Sequence, residues 1–275
     1  MARLLLLLFA VISPLFINPL SAAQTVYRFG VVPQFEPRKL ADIWVPILRE
    51  LEKRTGFKFK MVGSPKIQDF EISFMAGEFD FAYMNPYHAM LAGEKQGYIP
   101  LLRDGGRKLF GILVVPKDSP IKDIQELAGR KMAFPAPNSL GASLMIRAEL
   151  ETAHGVRVRP VYVHTHSSVY LNVILNKVAA GGGVVSTLRR QNQEIQDRLR
   201  ILYKTRGMTP HPITVHPRVP RAHRKAVQQA MLDMAGTEKG RALWEKIPMK
   251  MVVPARLEDY LALKKWGLER YYVAN

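Results

Sequence analysis

Short apolar runs alternate with amphipathic helical stretches along most of this 275-residue chain. That alternation restricts it to open α/β sheets covered by helices. Val26–Val32 reads as a buried strand stopped by Pro33 and Pro37. Lys39–Arg54 carries Leu40, Ile43, Trp44, Ile47, Leu48 and Leu51 at helical spacing, and Gly56 follows as the stop. Strands are expected at Phe57–Val62, Phe79–Met84 and Leu109–Val115, with helices Ile67–Met75 and Pro86–Gln96 between them. The pattern goes on through helix Ser119–Leu127, strand Lys131–Phe134, helix Ser139–Ala153, strand Val158–Val163 and helix Ser168–Val178. Strand Gly182–Val185, helix Thr187–Arg198, strand Leu199–Tyr203 and the extended piece Ile213–His216 complete it. After Pro220 the chain reads as helical: Ala222–Ala235, Glu238–Lys246 and Arg256–Trp266.

One sheet seldom holds roughly ten strands. Two lobes are therefore expected, each a mainly parallel sheet flanked by helices. Leu109–Val115 and Leu199–Thr205 are the two crossover strands, because one complete α/β unit lies between them. Lobe one then comprises residues 24–112 and 206–275, and lobe two 113–205. In such sheets a ligand sits beyond the carboxyl ends of the strands. The cleft between lobes is the favoured place for a pocket.

Residues 1–23 read as a cleavable export signal, with Arg3 as the positive start, Leu4–Phe16 as the apolar stretch and Ser21-Ala22-Ala23 before the cut. No later window is long and apolar enough to span a membrane, so the mature chain is expected in the periplasm. There is no cysteine, which removes disulfides, zinc-cysteine sites and thiol chemistry. The formal net charge is +17. Its Lys and Arg are scattered in pairs, such as Arg107-Lys108 and Arg189-Arg190, rather than gathered on one arm. That favours a basic solvated surface drawing small anions over nucleic-acid binding.

Three polar turns stand out. Phe134–Ser143 (F-P-A-P-N-S-L-G-A-S) runs from a strand through Asn138, Ser139 and Gly141 into a helix. This arrangement aims unpaired amides and a helix dipole at one spot, which suits an anion. Ser139 and Ser143 add hydroxyls; the plainer reading is a capped turn. Thr165, His166, Ser167 and Ser168 repeat the design, and so do Tyr83, Asn85 and Tyr87 at the end of an earlier strand. Gln34, Phe35 and Glu36 should border the same cleft. His164 and His166 alternate in an extended run, which lets one of them face it. His88 reads as a helix-surface residue, and His211 and His216 as structural residues among prolines. Gly181-Gly182-Gly183 does not fit a dinucleotide motif and reads as a place of close backbone approach before a strand. Neither a nucleophile elbow nor a metal-ligand spacing is present. No catalytic residue, cofactor or metal is therefore expected.

The residues that carry a family likeness are Gly77-Glu78-Phe79-Asp80-Phe81-Ala82, Asn85-Pro86-Tyr87, Asp118–Phe134 and Asn138-Ser139-Leu140-Gly141-Ala142-Ser143. Together they resemble the periplasmic phosphate/phosphite/phosphonate-binding proteins of ABC importers, of the type 2 periplasmic-binding-protein fold. The resemblance covers nearly the whole mature chain. It implies a monomer that captures a small oxyanion between its lobes for an ABC permease. It also admits a periplasmic sensing module partnered with a membrane histidine kinase or chemoreceptor. Ser139 and Gly141 would then stand in the family's oxyanion loop, and His166 at the start of its next ligand-facing helix. Leu140 stands where that family often has a hydroxyl residue. Gly181-Gly182-Gly183 stands near the place of a usual acid, which disfavours an aminoalkyl phosphonate.

Overall fold

A computed structural model describes residues 25–247 and 249–274. The expected export signal at 1–23 lies outside them. The chain opens with β1 (Val26–Val31), α1 (Pro37–Thr55), β2 (Lys58–Val62), α2 (Ile67–Met75), β3 (Phe81–Tyr83), α3 (Pro86–Gln96) and β4 (Ile99–Asp104). Next come β5 (Gly111–Pro116), β6 (Lys131–Phe134), α4 (Met145–His154), β7 (Arg159–Tyr162), α5 (His166–Ile174) and β8 (Ala180–Val184). The short helices α6 (Val185–Leu188) and α7 (Gln193–Asp197) lead to β9 (Leu199–Lys204). The chain then runs through β10 (Ile213–Val215), α8 (Arg221–Ala235), α9 (Glu238–Glu245) and β11 (Val252–Pro254).

The strands form two sheets, ordered β11-β4-β10-β3-β1-β2 and β7-β6-β8-β5-β9. Each has a parallel heart, β2-β1-β3 in one and β7-β6-β8 in the other. The remaining pairings are antiparallel. The sheets are thus mixed where the sequence suggested mainly parallel ones. The reason lies in the strands that join the lobes. β5 and β9 pair antiparallel as neighbours in the second sheet, and Leu109 bridges Met208 where the same two segments leave the first. A chain that crosses out and back between lobes must run in opposite directions.

Local chemistry explains most element limits. Gly56 closes α1 at φ 72°, its amide bonded to the Glu52 carbonyl. Asn85 caps α3 through its side chain. Four expected helices differ. Only Ile124–Leu127 of the stretch Ser119–Leu127 is helical, as a 3-10 turn started by an Asp123–Glu126 capping box. Thr187–Arg198 divides into α6 and α7 because Asn192 starts a new cap. Leu140–Leu144 makes a π turn ahead of α4. Arg256–Trp266 winds as 3-10 turns, Leu257–Asp259 and Leu261–Trp266. Strands β4 and β11 were not foreseen; they pair with each other along the edge of the first sheet.

The glycine run lies inside β8 rather than before it. A Cβ at Gly182 would overlap the Ala142 carbonyl oxygen, and one at Gly111 on β5 the Gly141 carbonyl oxygen. The π turn therefore rests on bare backbone of two central strands. We expect Gly182→Ala to lower stability by about 1–3 kcal/mol in urea unfolding. Gly63→Ala, with open space around it, should change stability by less than about 0.5 kcal/mol. Equal effects at the two sites would contradict the seating described here.

Candidate functional site

Three helix starts meet at one void. α3 starts at Asn85, just past β3, and Asn85 Oδ1 accepts the His88 amide at 2.9 Å. The π turn starts at Ser139, beyond the carboxyl end of β6. α5 starts at Thr165, whose Oγ1 accepts the Ser168 amide at 3.0 Å and donates to Ser168 Oγ at 2.9 Å. Asn85, Ser139, Gly141 and His166 share the wall of this void with Gln34 and His211. The first amides of a helix lack intrahelical acceptors. Among the described residues, no backbone acceptor faces those of Leu140, Gly141 and Ala142. Helix dipoles add partial positive charge there. The volume open to the centre of a water molecule is about 10 Å³, room for a single water. The seat is closed.

Among the described residues, no carboxylate lines it. His166 and His211, one from each sheet's side, are both buried. Burial pushes the His166 imidazolium down to about 4. His211 goes down to about 3, by burial first and then by repulsion from His88 and His166. Both rings are neutral at pH 7. His166 Nδ1 lies 3.1 Å from Thr187 Oγ1, which donates to the Val184 carbonyl at 3.0 Å. Thr187 Oγ1 also lies 2.7 Å from the Tyr170 hydroxyl, so this buried network holds the His166 ring by its Nδ1 edge.

The other residues singled out in the sequence occupy different places. Ser143 Oγ accepts Arg147 Nε at 3.1 Å. Asn138 Nδ2 donates to Glu71 Oε2 (3.0 Å) and the Val273 carbonyl (2.7 Å), while its Oδ1 accepts the Val273 amide (2.9 Å). Its side chain is thus engaged by protein groups. Tyr87 packs on Tyr272, with ring centroids 5.6 Å apart, in an apolar cluster behind the void. Tyr83 stacks on His211 at 5.3 Å, and its buried hydroxyl has no hydrogen-bond partner among the described residues. Ser167 and Ser168 are half-buried at the start of α5. His164 and Glu36 are exposed.

His88, expected on the helix surface, is fully buried and donates through Nε2 to Glu71 Oε1 at 2.7 Å. Glu71 was not singled out, although it lies four residues after Ile67 on the buried side of α2. Its pairing joins α2, α3 and the Asn138 turn. Two further contacts hold the lobes together at the front rim. Lys39 Nζ donates to the Arg190 carbonyl at 2.8 Å, and Arg190 donates to the Glu245 carbonyl at 3.0 Å.

Two sheets joined by paired crossover segments, with a polar void between them, define a two-lobed binding protein of the type 2 periplasmic fold. The family is narrower. Residues 29–260 match the family described as ABC transporter, phosphonate, periplasmic substrate-binding protein, and the chain belongs to it. The phosphonates-binding periplasmic protein of Escherichia coli (strain K12) is 25% identical over 108 residues, which is 38% of this chain and 32% of that protein. The match thus spans about a third of that relative's length. Among solved structures, a binding-protein component of an ABC phosphonate transporter from Pseudomonas aeruginosa superposes with TM-score 0.82 at 15% identity, covering 90% of this chain and 88% of the other. PhnD1 from Prochlorococcus marinus in complex with methylphosphonate gives TM-score 0.81 at 15% identity, covering 90% and 99%. At that identity these likenesses show the fold. The family and these neighbours are substrate-binding proteins, not enzymes.

The two neutral histidines carry a pH consequence. Below about 6.5 an unfolded histidine takes up a proton, while the native rings stay neutral down to about 4 for His166 and about 3 for His211. Their contribution is therefore complete above pH 6.5 and is lost as the pH falls toward 4, at up to about 1.4 kcal/mol per pH unit for each ring. We expect calorimetric Tm to decline across that window, and less steeply for His166→Gln and His211→Gln. Identical slopes in the variants would exclude these rings as the cause.

Proposed function

We propose that this chain captures a small phosphorus oxyanion of the phosphonate class between its lobes and delivers it to an ABC permease. The observation that carries this reading is the convergence of three helix starts on one void with no carboxylate in its wall among the described residues. Uncompensated amides of this kind are satisfied by an anion. Ser139 donates its hydroxyl, Gly141 and its neighbours their amides, and Asn85 and His166 close on the guest from opposite lobes. Thr165 holds the start of α5 in place. Lobe one comprises 24–112 and 206–275 and lobe two 113–205, moving about the segments near Leu109 and Met208. A seat with room for one water admits a phosphonate only when the lobes part. Capture is then an opening followed by closure, and its affinity depends on how much better the closed form holds the guest.

Membership of a family of periplasmic substrate-binding proteins supports a periplasmic site of action. Among the described residues no helix is long and apolar enough to cross a membrane. We place the chain in the periplasm as a monomer. No observation favours the sensing-module alternative.

Differential scanning fluorimetry and isothermal titration calorimetry with methylphosphonate, phosphite, phosphate and sulfate test the reading. At least one phosphorus oxyanion should raise Tm. Ser139→Ala should weaken its binding about tenfold or more, the loss of one hydrogen bond to a charged group. Absence of binding by every phosphorus oxyanion would sink the proposal.

A further inference from the structure

Next to the closed seat lies a second cavity of about 270 Å³. His211 belongs to the wall of both, and Val184 of the first adjoins Val185 of the second. The cavity therefore shares a wall with the seat and stands beside it as a vestibule. Arg107, Lys108, Arg189 and Lys204 line it, from both lobes, together with Phe110. Its one carboxylate, Asp104, is buried and already engaged. Oδ2 accepts Arg107 Nε at 2.9 Å, while Oδ1 accepts the amides of Gly106 (3.0 Å) and Met251 (3.1 Å). Among the described residues, Lys108, Arg189 and Lys204 make no salt bridge. Lys204 Nζ is held 3.8 Å above the Phe110 ring, a contact that keeps the ammonium at the mouth.

Three unpaired cations around one small cavity repel each other, and an anion placed among them relieves that repulsion. The seat itself offers an amine no counter-charge, since no carboxylate among the described residues lies in its wall. We propose that the vestibule is a second anionic subsite. The ligand is then a phosphonate or phosphate ester whose organic arm carries another acidic group, with phosphorus in the seat and the acid among Lys108, Arg189 and Lys204. This rests on the seat holding a phosphorus oxyanion and adds the class of its substituent.

The test is calorimetric titration of the full chain at low salt with methylphosphonate, 2-aminoethylphosphonate and phosphonoacetate. Phosphonoacetate should bind about tenfold tighter than methylphosphonate, the sum of several partly exposed ion pairs. 2-Aminoethylphosphonate should bind more weakly than either. In the doubly substituted Arg189→Glu, Lys204→Glu chain, checked for fold by circular dichroism, the gap between phosphonoacetate and methylphosphonate should narrow to about threefold or less. Raising the salt should narrow it in the native chain too. Methylphosphonate binding as tightly as phosphonoacetate overturns the second subsite and leaves the seat standing, as does an advantage that survives both substitutions. Failure of all three ligands to bind overturns the seat and the subsite together.

Discussion

The site depends on a contact between main chains. The turn Leu140–Leu144 lies on β5 and β8 at places where Gly111 and Gly182 have no side chain. Any larger residue there would lift the turn off the sheet. Gly183 and Gly181 do the same for α5, admitting Tyr170 and Val169 against the strand. Two helix starts are thereby brought down onto one sheet at the same level. Their amides face the gap between the lobes because the strand backbone beneath them lacks bulk. Packing density at this point determines electrostatics, since a dipole end acts only over about the first turn.

The electrostatic design is graded along the cleft. The seat holds uncharged donors and two neutral histidines, one of them oriented by Thr187. The vestibule beside it holds Lys108, Arg189 and Lys204, which make no salt bridge among the described residues. An approaching anion meets long-range attraction first and short, directional hydrogen bonds last. The scattered basic surface extends the same gradient, which speeds encounter more than it strengthens grip.

Closure has its own machinery. The carboxyl-terminal segment reaches lobe two through Asn138 and Val273, and Arg147 donates to the Tyr271 carbonyl at 2.9 Å. Leu263 and Leu268 pack in one buried cluster with Tyr87 of α3 and Met145 of α4. On the opposite rim Lys39 and Arg190 make the corresponding bonds. Many small contacts on both sides of the hinge hold the lobes together, and one of them, from Asn85 Nδ2 to the Asn138 carbonyl at 3.3 Å, is made by a residue of the seat wall. Opening must break them, so the guest has to repay that cost by what it gains inside.

Much of this was legible from local pattern. The spacing of Leu40, Trp44, Ile47 and Leu51 and the prolines and glycines that end each run fixed α1, α2, α3 and the parallel hearts of both sheets. The starts at Asn85, Ser139 and Thr165 also followed from residue chemistry, because a cap is a local interaction. What pattern could not supply was the partner of a side chain distant in sequence. Asn138 reads as a donor to a guest, yet its amide is engaged by Val273, 135 residues away. His88 reads as surface because α3 shows no clear apolar stripe, but α2 and its Glu71 cover it. His211 sits among prolines with no local hint of a pocket, and stacking on Tyr83 turns it toward the void. The antiparallel direction of β5 and β9, and the edge strands β4 and β11, likewise arise from how the lobes are joined. Sequence alone determined which segments form strands and helices and where helix starts expose their amides, since those depend on neighbours along the chain. Tertiary structure alone decided which of those amides face a common gap and which cations stand unpaired beside it, since both depend on residues that meet only once the two sheets close.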